Sequence, residues 1–294
     1  MKDILKGAYD LHIHSAPDVL PRKMDDFEMA ERAMAAGMKG FALKSHYFCT
    51  SERAELVRKA YPELDVIGTI TLNNSVGGIN PSAVEMAARS GAKLIWFPTC
   101  DGKYEREHVF KDTKNKKLPY WASIVIEMDE EGIKSLPITI LDENRELTEE
   151  TQKVLDIAAR YKMIIATSHL SHEEAFKLVE EANKKGIDRI VITHADFPTT
   201  FYTVEEQKRL VEMGAVIEHT YTTWKTNKVE FGVVVNQIRE IGPKNVILGT
   251  DLGQVTAKYP DEGLLEFAEL LLENGFTREE LRLMLVENSA RLLE

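Results

Sequence analysis

Two imidazoles one residue apart, in Asp10-Leu11-His12-Ile13-His14, are the first feature of this chain that could do chemistry. Residues i and i+2 of a strand point to the same side, so His12 and His14 can face one ion together. The plainer reading of such a pair is two core histidines with satisfied hydrogen bonds. Position argues past it. Of the 8 histidines, His12, His14, His46, His169, His194 and His219 fall at or just beyond the C-terminal ends of short β-branched runs, and another such run ends on Asp251. Neutral imidazoles with a carboxylate suit zinc, and also manganese or iron(II), whereas magnesium or calcium would draw mostly on oxygens. The expectation is a divalent-metal site of one or two ions, with zinc first.

Something must carry these residues to one place. Eight runs read as strands, at 8–12, 40–44, 65–71, 93–97, 162–167, 189–193, 215–219 and 245–250, and helical segments separate them, which is the βαβ pattern of a parallel sheet. Helix starts are written as capping boxes at Ser171 to Glu174, Thr203 to Glu206 and Thr277 to Glu280, and as Asn80-Pro81. Several helices end in Gly just before the next strand, as in AAGMKG and VEMGAV. The pattern predicts an α/β chain folded as a (βα)8 TIM barrel, with room for distortion, in which strand ends meet at the C-terminal mouth where barrel enzymes keep their active sites. The chain reads as one domain over 1–294, with 260–294 forming two closing amphipathic helices. A long insertion, 101–147, separates strands 4 and 5; it holds a basic run at 111–117 and a small hairpin at 138–145. It reads as a lid, a structural excursion or a contact in a homo-oligomer.

The order of these strand ends resembles the amidohydrolase superfamily, whose pattern is His-x-His after strand 1, His after strands 5 and 6, and Asp after strand 8. The match falls at His12, His14, His169, His194 and Asp251. The segments DLHIHSAPDVLPR, GMKGFALKSHYFCTSERA, SHLS, THADFP and LGTD are similar to uncharacterised amidohydrolase-like, metal-dependent hydrolases. The resemblance implies a hydrolase in which metal-activated water attacks an amide, lactone or ester-like bond of a small molecule. Asp251 would move the proton, and His194 or His219 would stabilise the developing oxyanion. Superfamily members with two ions usually bridge them by a carboxylated lysine or a glutamate after strand 4, where this chain has Thr99, Cys100 and Asp101. Lys44, two residues before His46 on strand 2, could be a carboxylated ligand, a cation for a substrate anion, or a lysine with only its stem buried. The metal set is then His12, His14, Lys44, His46, His169, His194 and Asp251, with Arg22, Lys44 and Trp224 facing substrate. A salt bridge to Asp18, Asp25 or Asp26 is the other reading of Arg22.

DLHIHS also resembles the opening of the polymerase-and-histidinol-phosphatase family, which implies a phosphoesterase, although Lys44-Ser45-His46 replaces that family's Asp-His pair and Gly253 its last histidine. A metal-dependent decarboxylase and a barrel without turnover are the remaining alternatives. With 48 acidic and 37 basic residues, a net charge of -11 disfavours nucleic acid and anionic membranes as partners. The first 14 residues lack an apolar signal core and only two cysteines, Cys49 and Cys100, are present, so a cytoplasmic chain with reduced thiols is expected. His108 and His172 read as solvated or as neighbours of the ligands.

Overall fold

All eight β-branched runs are strands in the computed structural model of the chain, which describes residues 3–111 and 118–294. They are β1 (Tyr9–Ile13), β2 (Gly40–Leu43), β3 (Asp65–Thr71), β4 (Ala92–Trp96), β5 (Ile164–Ala166), β6 (Ile190–Ile192), β7 (Val216–Thr220) and β8 (Val246–Gly249). They lie in sequence order, every neighbouring pair parallel. Just past the strand ends, the Asp251 N–H donates to the His12 carbonyl (2.8 Å) and the His14 N–H to the Leu252 carbonyl (2.7 Å). These bonds draw β8 to β1 and make the sheet a (βα)8 barrel.

The helices are α1 (Asp26–Ala36), α2 (Ser51–Ala60), α3 (Pro81–Arg89), α4 (Lys103–Phe110), α5 (Tyr120–Glu130), α6 (Glu149–Tyr161), α7 (His172–Lys184), α8 (Val204–Glu212), α9 (Tyr221–Lys225), α10 (Phe231–Ile241), α11 (Pro260–Glu273), α12 (Arg278–Arg282) and α13 (Asn288–Leu293), whose Leu292 packs into the barrel interior. The capping boxes of α7, α8 and α12 form as expected, and Asn80 caps α3 ahead of Pro81. Gly37 ends α1 at φ 75°, a left-handed conformation open to glycine at no steric cost. Of the two expected closing helices, α11 is regular, while the second runs through a π turn at Leu283–Glu287 between α12 and α13. Among the described residues no helix is long and apolar enough to cross a membrane.

Side-chain parity decides what reaches the barrel interior. The inner core takes Leu11, Ala42, Ile67, Trp96, Ala166, Val191, Val216 and Ile247, at least one residue from every strand, whereas Phe41, Leu43, Ile190, Ile192 and Ile217 pack outward against the helices. Strict alternation from Leu11 would turn His12 outward. The β1–β2 register slips between Asp10 and Ile13, and past this irregularity Ile13 belongs to the outer core while His12 lies against Trp96 inside, ring centroids 4.7 Å apart. A bulge therefore aims the His-x-His pair into the barrel.

The insertion differs from expectation. It carries α4 and α5, where the sequence pattern shows no helix, and the hairpin reduces to one antiparallel bridge, Leu141 with Leu147, around a turn in which the Asp142 N–H donates to the Glu146 carbonyl (2.8 Å). Most of the basic run, 112–117, lies outside the described residues.

Candidate metal centre

Three ligand atoms converge at the mouth. The Asp251 Oδ1 lies 3.2 Å from His12 Nε2 and 3.1 Å from His14 Nε2, and the donor atoms of the three residues fall within 4.8 Å of one another. The far side of each ring fixes its tautomer. His12 Nδ1 faces the Glu218 carboxylate at 3.0 Å, and His14 Nδ1 faces the Lys44 carbonyl at 3.0 Å, acceptors that favour the tautomer with the proton on Nδ1 and Nε2 free to ligate. Two imidazole nitrogens and an anionic oxygen directed at one point attract a cation, and the Lys44 ammonium already lies 2.8 Å from one of them, His12 Nε2. The donor set fits a divalent ion, and two nitrogens with one carboxylate oxygen match zinc, manganese or iron(II).

Electrostatics agree. Burial, reinforced by Arg22, pushes the His14 imidazole down to about 3, so it is neutral and ready to ligate. Burial and Lys44 act in the same direction on His12, but Glu218 and Asp251 outweigh them and hold its pKa above the ordinary value. The anionic surroundings that favour a proton on Nε2 favour a metal cation there equally. Against its burial, His12 and His14 keep Asp251 ionised far below the usual carboxylate range.

Two further histidines reach this centre by backbone conformation. Parity from Ala166 and Val191 would turn His169 and His194 towards the helices, but Ser168 and His194 sit at φ 52° and 29°, and Asp251 at 54°. Non-glycine residues in this region are uncommon and concentrate at functional sites. As a result, His169 Nε2 and His194 Nε2 stand 3.2 Å apart, and the His194 ring is 6.0 Å from the His12 ring. The Glu105 carboxylate on α4 backs His169 Nδ1 at 3.2 Å, and Glu218 accepts the His194 backbone N–H at 3.0 Å. Burial raises and His169 lowers the pKa of Glu105, which ends below its ordinary value.

Lys44 points inward by strict alternation after Ala42. Its ammonium lies 2.8 Å from His12 Nε2 and 4.2 Å from the centre of the Trp96 ring, and burial lowers its pKa to about 8 against the pull of Asp251 and Glu218. The amine is enclosed and does not reach solvent. His46 stands beside the centre, its ring stacked on His14 at 4.8 Å and its Nδ1 2.9 Å from the Thr99 hydroxyl. The end of β4 offers no free bridge: Thr99 engages His46 and Asn73, Asp101 pairs with Arg106, and burial pushes the Cys100 thiol up to about 12.

Three sequence expectations are corrected. With Val216 inside, Glu218 also faces inward, and His219 points to the helices, where its nearest charged neighbour is Asp196 at 3.5 Å; it cannot stabilise an oxyanion at the mouth. The Trp224 ring packs among Tyr221, Phe231 and Phe267 instead of facing a substrate. Arg22 forms the alternative ion pair with Asp18 at 2.6 Å, though its guanidinium also lies 3.3 Å from His14 Nδ1. His108 bonds its own helix at the Tyr104 carbonyl, and His172 pairs with Glu206, so neither joins the cluster. Glu218 and Glu105 escaped the sequence reading. The alternation Val216, Glu218 was a readable signal for the first; nothing in the sequence pointed to the second.

A model described as "Family of unknown function (DUF6282)" matches residues 7–218. No curated protein matches the sequence. Solved structures share the fold: an amidohydrolase from Pseudomonas aeruginosa (TM-score 0.61, 10% identity, 99% of this chain and 97% of that one), the organophosphorus hydrolase from Deinococcus radiodurans (0.60, 16%, 98% and 92%), and dipeptidase AC, a metallopeptidase (0.60, 15%, 99% and 98%).

Proposed function

The chain belongs to this family of unknown function, and we propose that it is a metal-dependent hydrolase of the amidohydrolase type that cleaves an amide, lactone or ester-like bond of a small molecule. The observation that carries this reading is the convergence of His12 Nε2, His14 Nε2 and Asp251 Oδ1, with an acceptor behind each ring at Nδ1. The hydrolytic relatives in fold, a metallopeptidase among them, support it.

In this reading His12, His14 and Asp251 hold a divalent ion, zinc first, with His169 and His194 close enough to complete its shell or to take a second ion. Such an ion lowers the pKa of water towards about 7 and polarises a carbonyl or phosphoryl oxygen. Asp251 Oδ2, which accepts from the Thr222 hydroxyl at 3.1 Å, is placed to receive the proton of the attacking water and pass it to the leaving group. Glu218 keeps the His12 proton on Nδ1, and Lys44 places a fixed positive charge beside the reacting centre, where negative charge develops.

Elemental analysis of the purified protein is expected to find one or two divalent ions per chain, and Asp251→Asn, reloaded with metal, to lose at least ~100-fold in turnover of whichever lactone, amide or ester proves active. A preparation shown to be metal-free that retains full turnover would overturn the reading. Release of phosphate from aryl phosphates in place of ester cleavage would move the chain to the phosphoesterase class, and release of carbon dioxide to the decarboxylases.

A further inference from the structure

We propose that Lys228 forms an anion-binding subsite above the mouth that selects substrates bearing a carboxylate or phosphate group near the bond to be cleaved, an inference that rests on the hydrolase reading above. Among the described residues Arg22, Lys44 and Lys228 bring cations towards the mouth, and the first two are already engaged. Arg22 is held by Asp18 at 2.6 Å, and Lys44 is enclosed between His12 and Trp96. Lys228 differs. Among the described residues no carboxylate comes within ion-pair distance of its ammonium, which sits 4.1 Å over the Phe197 ring. That ring is in turn 4.8 Å from the His194 ring and 5.7 Å from the His169 ring. The ammonium is thus one aromatic ring away from the candidate ligands, a span that a small organic acid can bridge.

The position is built. Lys228 follows α9, its backbone N–H donating to the Thr223 carbonyl at 3.1 Å after Asn227 turns the chain at φ 57°. The residue is exposed to solvent, yet the amine lies in a partly desolvated place: burial lowers its pKa, while Asp251, Glu105 and Asp196 act to raise it. An unpaired ammonium in such surroundings gains more from an arriving anion than a fully hydrated surface lysine does. The chain as a whole carries -11 and repels anions at a distance, so a free cation beside the mouth favours capture of an acidic substrate. Phe197 adds an apolar face beside that charge, suited to the carbon skeleton between an acid group and a scissile carbonyl.

The test uses the zinc-loaded full chain and paired lactones or esters that differ only in carrying a free carboxylate or its amide. The expected result is a preference for the charged member in kcat/KM that falls about tenfold or more in Lys228→Met and is largely restored in Lys228→Arg. Calorimetric binding of succinate and of inorganic phosphate to the same proteins gives a second readout that needs no turnover: the affinity of one of them should fall by a similar factor in Lys228→Met, and which one identifies the anion. An unchanged charged-to-neutral ratio and unchanged anion affinity, in a variant with wild-type metal content, would overturn the subsite. If no amide, ester or lactone is cleaved at all, the hydrolase reading fails by itself, and the binding measurements still decide the role of Lys228.

Discussion

Histidine is conspicuous in a sequence and glutamate is not, and at the scale of single residues this decided what could be read. His12, His14, His169, His194 and Asp251 were visible because their types and strand-end positions coincide, and the structure brings all five to one mouth. His219 satisfied the same criterion and faces the other way, because β7 is regular and its inward positions are Val216 and Glu218. The two neighbours therefore make opposite predictions. Glu218→Gln removes the negative charge that holds the His12 Nδ1 proton, leaving at most an amide oxygen to accept it, and should lower metal affinity roughly 10–100-fold, as weakening of a group that orients a ligand does. His219→Gln should leave both metal stoichiometry and affinity unaltered. Metal titration of the two purified variants separates them, and the reverse result would mean that His219 and not Glu218 faces the centre. Gly249 belongs to the same packing: a Cβ there would meet Glu218 Oε1 at 3.2 Å and His12 Cβ at 3.3 Å, so a larger residue would push the two apart by a few tenths of an ångström.

At the scale of elements, strands and caps were legible because periodicity and capping chemistry are local, whereas the β1 bulge and the insertion depend on contacts distant in sequence. The insertion is fastened at both ends. Asp101 takes the Arg106 guanidinium and the Asn74 N–H (2.8 Å), Arg106 also reaches Ser135, and Glu174 of α7 accepts from Thr139 (2.6 Å) and Ile140 (3.1 Å). Because the Asp101–Arg106 pair is buried, Asp101→Asn leaves an uncompensated guanidinium and should cost about 3 kcal/mol or more. The loss should fall locally, as faster proteolytic cleavage between α4 and residue 138 than in the barrel; uniform cleavage would deny the pair its anchoring role. A second cluster joins α9 to α11, where Glu266 binds Lys225 (2.7 Å), Lys258 (2.9 Å) and Tyr221. Burial works to raise its pKa, but these three partners bring it down to about 2. A depressed carboxyl stabilises the fold above its unfolded value near 4.5 and loses that contribution as pH falls towards 2. Screening by solvent keeps the effect to about 1 kcal/mol. Urea unfolding should thus show Glu266→Gln less stable than wild type at pH 6, with the gap narrowing by pH 3; a gap independent of pH would assign the loss to packing.

Over the whole molecule, the candidate centre sits on the one seam that the chain does not close by sequence adjacency. His12 and His14 come from the first strand and Asp251 from the end of the last, and the backbone bonds that join them, Asp251 N–H to the His12 carbonyl and His14 N–H to the Leu252 carbonyl, run through the ligands themselves. An ion bound by these three side chains would act as a clasp on the barrel as well as a reagent. This coupling could not be read from the sequence, since it follows from where β1 and β8 meet. It has a thermodynamic consequence, because a ligand that binds only the folded state adds about 2.7 kcal/mol at a hundred times its Kd, worth roughly 5 °C in Tm for a domain of this size. Zinc added to chelated protein should raise Tm by that amount. The hydrogen-exchange protection gained should concentrate at 9–14 and 246–252, on either side of the seam, and be smaller in β3 and β4. A gain spread evenly over all eight strands would indicate global stabilisation without a clasp. A gain centred on β5 and β6 would place the principal ion with His169 and His194, leaving Asp251 to act on water without holding the metal.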